Sequence, residues 1–150
     1  FREQSTKPLT LSYALMDSPV GVAAWIVEKF HGWSDLKDGR IESVYSMDQM
    51  LTNVMIYLVT GTFATSTWLY RGLFEDAGGA PVPDKARIEK PVGIANFPVD
   101  LIPFPPRSMV ERQMNVARWT DMGEGGHFAA LEKPEKLVAD IAAFARGIGF

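Results

Sequence analysis

The sequence predicts an α/β fold whose parallel strands lie in the second half of the chain. A short apolar stretch, residues 91–97, and a β-branched and aromatic run, residues 116–121, flank a helix predicted from Arg107 to Met114. A strand, a helix and a strand within about 30 residues form a parallel βαβ unit. A glycine-rich loop that ends in His127 follows the second stretch. Because open parallel sheets carry their chemistry at the carboxyl ends of the strands, this loop is the first candidate site.

Composition limits the classes of protein to consider. The 150 residues are 47% hydrophobic, which is enough for one domain with a real core. The net charge of −3 and the lack of a Lys/Arg cluster argue against nucleic-acid binding. The chain has no cysteine, which excludes disulfides and thiolate catalysis but does not determine the compartment.

Composition indicates the location and the partners of the chain only weakly. No apolar run reaches the roughly 20 residues of a spanning helix, and a cytoplasmic location is the expectation. The start at Phe1 is neither signal-like nor a natural start, so the chain is expected to be part of a longer polypeptide. A membrane anchor upstream of Phe1 and homodimer formation both stay open.

The first half is predicted to be mainly helical. Residues 1–17 are expected to be irregular, and Ser18-Pro19 begins a helix that runs to about Phe30. His31 is interpreted as a solvated helix end, and Trp33 as a residue without partners nearby in sequence. The segment Ser46–Gln49 has the form of a capping box, which predicts a further helix from there.

Gly61 is predicted to interrupt that run, and residues 62–76 to resume it until Gly78-Gly79. Phe63, Tyr70 and Phe74 then share one helix face. An aromatic at helical spacing is more often a core residue than a catalytic one.

The second half begins with a connector at residues 80–90, because Pro81, Pro83 and Asp84 are turn formers. The two predicted strands follow, and the first is apolar throughout, as strands covered on both faces are. Pro134 starts a last helix that is expected to end near Gly147.

An ionisable residue follows each predicted strand. Asp100 comes after the first strand and His127 after the second, so in a parallel sheet the two side chains can meet. An acid that orients an imidazole is half of a catalytic triad, in the chain order found on α/β-hydrolase sheets. The alternatives are that Asp100 caps a loop, and that the glycines before His127 only make a tight turn.

The rest of such a site is missing from the 150 residues. They contain no Gly-x-Ser-x-Gly elbow, no cysteine and no acidic residue on a sharp strand-to-helix turn. Two strands are also too few for a buried parallel sheet, which predicts that residues outside this chain complete it. Metal and cofactor sites are not predicted, since two distant histidines form no ligand set and no phosphate-binding loop is present.

Six stretches, in this order and spacing, are typical of one family. They are Gln4-Ser5-Thr6-Lys7-Pro8, Asp17-Ser18-Pro19-Val20-Gly21 with residues 23–30 after it, Leu51-Thr52-Asn53-Val54-Met55-Ile56-Tyr57, Thr60-Gly61-Thr62, Phe97-Pro98-Val99-Asp100, and Gly125-Gly126-His127-Phe128-Ala129-Ala130. Over nearly all its length the chain resembles the C-terminal part of epoxide hydrolases of the microsomal and juvenile-hormone type. The resemblance implies the C-terminal portion of an α/β-hydrolase fold, with a helical lid segment in residues 1–79 and the last two strands with their helices in residues 80–150.

The resemblance also implies roles for individual residues. His127 matches the general base that activates water against a covalent alkyl ester, and Asp100 matches the acid that orients it. Tyr70 matches one of two lid tyrosines that donate hydrogen bonds to the epoxide oxygen. Phe63 and Phe74 would line an apolar substrate pocket.

The family's aspartate nucleophile and oxyanion loop belong to an earlier half that these residues do not contain, and the second lid tyrosine would lie just before Phe1. The implied partners are a small apolar epoxide and the N-terminal part of the same enzyme. Other readings are a dehalogenase or esterase of the same superfamily, and a noncatalytic helical interaction module. The last predicts that Asp100 and His127 lie too far apart to hydrogen-bond.

Overall fold

The computed structural model of the chain describes residues 2–76 and 87–150. These residues form two compact units, one made of residues 2–29 and 45–76, the other of residues 30–44 and 87–150. The first unit is helical, and the second contains the parallel strands. Two predicted features, the helix end at Gly78-Gly79 and most of the connector at residues 80–90, lie outside the described residues.

The first unit opens with two helices, α1 (Arg2–Thr6) and α2 (Pro8–Leu15). The predicted irregular opening is therefore wrong. Pro8 stands in the first turn of α2, where a missing N–H does no harm, so the proline begins a helix here instead of a turn. The buried face of α2 also carries a serine, since the Ser12 hydroxyl lies 3.2 Å from the Thr67 hydroxyl. A polar residue on the inner face hid the helical period.

The next helices follow the predicted signals. Helix α3 spans Pro19–Trp33, three residues beyond the expected end, and α4 spans Met47–Thr60. The Ser46 hydroxyl accepts a hydrogen bond from the Gln49 amide at 3.2 Å, and the Gln49 side chain accepts one from the Ser46 amide at 2.8 Å. This reciprocal pair is the predicted capping box. Gly61 ends α4 in the left-handed conformation (φ 64°), and α5 (Phe63–Asp76) follows.

The core of the first unit takes one side chain from each of four helices. These side chains are Leu11, Val22, Val54 and Phe63. Phe63 is only 4% exposed, and its ring meets the ring of Tyr57 edge to face, with centroids 6.5 Å apart. Burial of these apolar groups holds α2 to the longer helices.

The second unit is a βαβ unit with additional helices. Strand β1 (Ile88–Asn96) pairs in parallel with β2 (Met114–Asp121), and α6 (Arg107–Gln113) connects them. The predicted strands, crossover helix and parallel pairing are confirmed. Strand β1 begins three residues earlier than predicted, because Ile88 pairs with Met114 across a register shift before Pro91.

Three further helices complete this unit: a short 3-10 helix (Ile41–Ser43), α7 (Ala129–Glu132) and α8 (Pro134–Gly147). The predicted last helix is confirmed. It packs closely on the sheet, since a Cβ atom at Gly93 would lie 2.9 Å from the Phe144 ring. The Asp140 carboxylate also accepts hydrogen bonds from Arg118 and Thr120 of β2, both at 2.7 Å.

In residues 2–76 and 87–150, no helix is both long and apolar enough to cross a bilayer. The same residues contain no group of three or more His, Asp or Glu side chains arranged to hold a metal ion.

Candidate active site at the carboxyl ends of the strands

Hydrogen bonds beyond the ends of β1 and β2 bring the two following loops together. The Asp121 carboxylate accepts a hydrogen bond from the side-chain amide of Asn96 at 2.8 Å and one from the Trp119 indole at 2.9 Å, and these bonds lower the pKa of Asp121. The Val99 amide then donates to the Gly125 carbonyl at 3.2 Å, and Val99 pairs in parallel with Gly126. The residues that follow, Asp100 and His127, are thereby adjacent.

The Asp100 and His127 side chains form a close pair. Nδ1 of His127 lies 2.7 Å from Oδ1 of Asp100, and the side chains are 38% and 42% exposed for His127 and Asp100, respectively. A neutral imidazole that donates from Nδ1 to a carboxylate leaves Nε2 as the acceptor nitrogen. The separation expected of a noncatalytic module is not observed.

Asp100 also caps its own loop, since its Oδ1 accepts a hydrogen bond from the Leu101 amide at 2.6 Å. Asp100 is therefore both a loop cap and the hydrogen-bonding partner of His127. The hydrogen bond from Leu101 fixes the position of the carboxylate oxygen that faces the imidazole.

The two glycines before His127 are required by packing. Gly125 has a φ of 108°, which side chains disfavour, and a Cβ atom there would lie 2.7 Å from the Phe97 ring. A Cβ atom at Gly126 would lie 2.7 Å from the Trp33 carbonyl oxygen and 2.8 Å from the Val99 carbonyl oxygen. Gly126 thus lets the loop pass between two backbone segments, and Gly125 lets it pass the Phe97 ring, neither of which a simple tight turn needs.

The end of α3 and the residues just after it contact the other side of this loop. The His127 amide donates to the Trp33 carbonyl at 2.9 Å, and the Gly125 amide donates to the Asp35 carboxylate at 2.8 Å. This contact was not predicted from the sequence, because Trp33 has no partners nearby in sequence. Gly125 and Asp35 are 90 positions apart, and no pattern in one sequence connects such positions.

Aromatic rings surround the imidazole on two sides. The Trp33 ring centroid lies 5.2 Å from that of His127 at an interplanar angle of 74°, and the Phe128 ring lies 5.1 Å away at 89°. Phe128 in turn stacks on Phe30 with centroids 4.6 Å apart. Edge-to-face contacts of this kind restrict rotation of the imidazole. By contrast, the ring of His31 is exposed and pairs with the Gly39 carbonyl at 3.0 Å, in the last turn of α3.

Glu124 ties the start of the loop to the residues that begin α8. Its carboxylate pairs with the ammonium groups of Lys133 and Lys136. The hydrogen bonds from these two lysines lower the pKa of Glu124 to about 2, so the carboxylate is ionised at neutral pH. Because all three side chains are partly exposed, we expect a small contribution to stability.

The other three predicted site residues lie on α5, in the first unit. Tyr70 is half-buried there, and Phe63 belongs to the hydrophobic core. Phe74 is in the same helix, and its side chain lies outside the described part of the chain. The three aromatic residues therefore lie in one helix, as their helical spacing in the sequence predicted.

Known proteins similar to this chain carry consistent names. No family model matches the chain. It is 39% identical over 146 residues to epoxide hydrolase 1 of Sus scrofa, covering 94% of this chain and 32% of that protein. It is 41% identical over 143 residues to juvenile hormone epoxide hydrolase 1 of Ctenocephalides felis, covering 92% of this chain and 31% of that protein.

A solved structure agrees with these relatives. The epoxide hydrolase of Aspergillus niger matches 97% of this chain with a TM-score of 0.80 and 34% identity, and the match covers 34% of that structure. The chain therefore spans about a third of the length of the proteins it matches.

Proposed function

We propose that this chain, a homologue of epoxide hydrolases with part of their α/β-hydrolase fold, supplies the acid and base of an epoxide hydrolase active site. The observation that carries the proposal is the 2.7 Å contact between Nδ1 of His127 and Oδ1 of Asp100, at the carboxyl ends of parallel strands. The reaction is the addition of water to a small apolar epoxide to give a vicinal diol, without metal or organic cofactor.

The first step of this reaction needs a nucleophile from outside the 150 residues. A carboxylate attacks one epoxide carbon, the carbon–oxygen bond of the ring breaks, and a covalent alkyl ester forms. The epoxide oxygen becomes an alkoxide, which needs a hydrogen-bond or proton donor. Tyr70 is proposed as one such donor, since a phenol donates at neutral pH. Phe74 is proposed to line the apolar pocket, whereas Phe63 is 4% exposed in the core of the first unit and is not proposed to touch the substrate.

His127 acts in the second step. Its Nε2 removes a proton from water, and the resulting hydroxide adds to the ester carbonyl carbon. The tetrahedral intermediate then collapses, the bond to the diol oxygen breaks, and the imidazolium returns its proton to the departing diol as the nucleophilic carboxylate is regenerated. Asp100 holds the imidazole in the tautomer with hydrogen on Nδ1 and stabilises the imidazolium that forms. The contact of Asp100 with both Nδ1 and the Leu101 amide supports this role.

A segment exchange tests the proposal. In this experiment the chain replaces the matching segment of the Sus scrofa relative, and diol formation from styrene oxide is measured for the chimera and for the chain alone. We expect turnover by the chimera and none by the isolated chain. Hydrolysis by the isolated chain that His127→Ala abolishes would contradict the division of the active site.

Replacing Tyr70 with phenylalanine distinguishes epoxide opening from dehalogenase or esterase chemistry. In the chimera, Tyr70→Phe removes one donor to the developing alkoxide, and we expect epoxide turnover to fall by about tenfold to hundredfold. A halide leaving group needs no such donor, and in ester hydrolysis the histidine itself protonates the leaving alkoxide. Tyr13→Phe is the control, because Tyr13 is a 74% exposed tyrosine of the same unit. Equal turnover of the two variants would favour another hydrolase activity.

A further inference from the structure

Glu132 is a buried carboxylate close to the candidate base. The residue is 9% exposed, and both of its oxygens accept hydrogen bonds from backbone amides. Oε1 accepts from Phe128, the residue after His127, and Oε2 accepts from Asp35, each at 2.9 Å. A carboxylate is costly to bury unless it is well hydrogen-bonded, and here the compensating bonds all go to the backbone around the site.

Asp35 continues the same connection. Its amide binds Glu132, and its own carboxylate accepts from the Gly125 amide at 2.8 Å. The loop from Gly125 to Phe128 is thus held at both ends, by Asp35 before His127 and by Glu132 after it. The bond from the His127 amide to the Trp33 carbonyl lies between these two anchors.

We propose that Glu132 and Asp35 are positioning residues that keep His127 within hydrogen-bonding distance of Asp100. The loop approaches Val99 and Asp100 on its other side, so a shift of the loop away from Asp35 changes the separation of Nδ1 and Oδ1. Both carboxylates bind backbone amides in the described structure, and their effect on chemistry passes through His127. The catalytic meaning of this inference rests on the proposed function, whereas the positioning itself does not.

The first test replaces Glu132 with glutamine in the chain and measures the imidazole by nitrogen NMR. Glutamine has the same shape but only one accepting atom, so one of the two amides loses its partner. We expect the Nδ1-protonated tautomer of His127 to lose its dominance, and the Phe128 or Asp35 amide to exchange at least about tenfold faster. Glu135→Gln is the matched control, because Glu135 is an exposed glutamate three positions later. It should match the wild-type chain in both measurements.

A second pair of variants keeps the inference testable if Glu132→Gln does not fold. Asp35→Asn retains an oxygen that can accept from the Gly125 amide, while Asp35→Ala has none. We expect slow exchange of the Gly125 amide and the Nδ1-protonated tautomer in the asparagine variant, and loss of both in the alanine variant. Wild-type tautomer and exchange in both Asp35→Ala and a folded Glu132→Gln would overturn the inference.

Kinetics in the chimera separate this inference from the proposed function. We expect Glu132→Gln to lower kcat by about tenfold to hundredfold and KM in parallel, with little change in kcat/KM, because His127 acts only after the covalent ester has formed. If the chimera proves inactive while the NMR changes occur, the proposed function fails and the positioning stands. If the chimera is active and neither NMR signal changes, the positioning fails alone.

Discussion

His127→Ala in the chimera is expected to abolish diol release while the covalent ester still forms. The nucleophilic carboxylate can open the epoxide without the imidazole, but the ester needs a base-activated water to be hydrolysed. We expect kcat to fall by about 10²–10⁴-fold, and mass spectrometry of the protein after mixing with excess styrene oxide should detect close to one adduct per chain. An unreacted protein, or a variant that turns over at the rate of the parent chimera, would contradict the role of His127.

Asp100→Asn should impair the same step for a different reason. An asparagine can present its amide NH₂ group to Nδ1, which favours the tautomer that carries hydrogen on Nε2. In that tautomer Nε2 cannot accept a proton from water. The ester should again accumulate. Asp38→Asn is the matched control, since Asp38 is exposed in the same unit and its positive φ of 53° is one that asparagine tolerates. The control should turn over like the parent chimera.

Gly126→Ala is expected to have the largest effect on stability. The added Cβ atom would lie 2.7 Å from the Trp33 oxygen, 2.8 Å from the Val99 oxygen and 2.9 Å from the Asp35 nitrogen. All three are backbone atoms, so no side-chain rotation relieves the clash and the segments must move apart. We expect the free energy of unfolding to fall by about 1–3 kcal/mol in urea titrations of the chain, together with loss of turnover in the chimera.

A second glycine of the same loop provides the control for this change. No heavy atom lies within 4 Å of a Cβ atom built at Gly123. Gly123→Ala should therefore change the free energy of unfolding by no more than about 0.5 kcal/mol. Equal destabilisation by the two substitutions would contradict the close approach of the backbone as the reason why position 126 must be glycine.

Local signals account for the elements that were predicted correctly. The capping box of Ser46 and Gln49 and the helix end at Gly61 each depend on a few neighbouring residues, which one sequence displays in full. The parallel strands could be predicted because a strand, a helix and a strand in succession have few alternative arrangements. The proximity of Asp100 and His127 followed from that topology, because both residues come just after a strand.

The errors occur where tertiary contacts replace the usual local pattern. The opening of the chain is helical although it was predicted to be irregular, because the buried face of α2 includes Ser12, whose hydroxyl meets Thr67 from a distant helix. Strand β1 begins at Ile88 because Met114 provides a pairing partner there. In both cases the deciding residue is remote in sequence.

The amino-acid sequence by itself determined the elements after the opening segment, their order and the meeting of an acid with a histidine, because these depend on short-range propensity and on simple topology. Only the tertiary structure decided why Gly125 and Gly126 must be glycines and which residues anchor His127. The need for glycine at 126 and the anchoring of His127 depend on the approach of the Trp33–Asp35 segment to the loop, and the need for glycine at 125 depends on the Phe97 ring. Distances between segments that are far apart in sequence are set by packing of the whole unit, and no local pattern contains them.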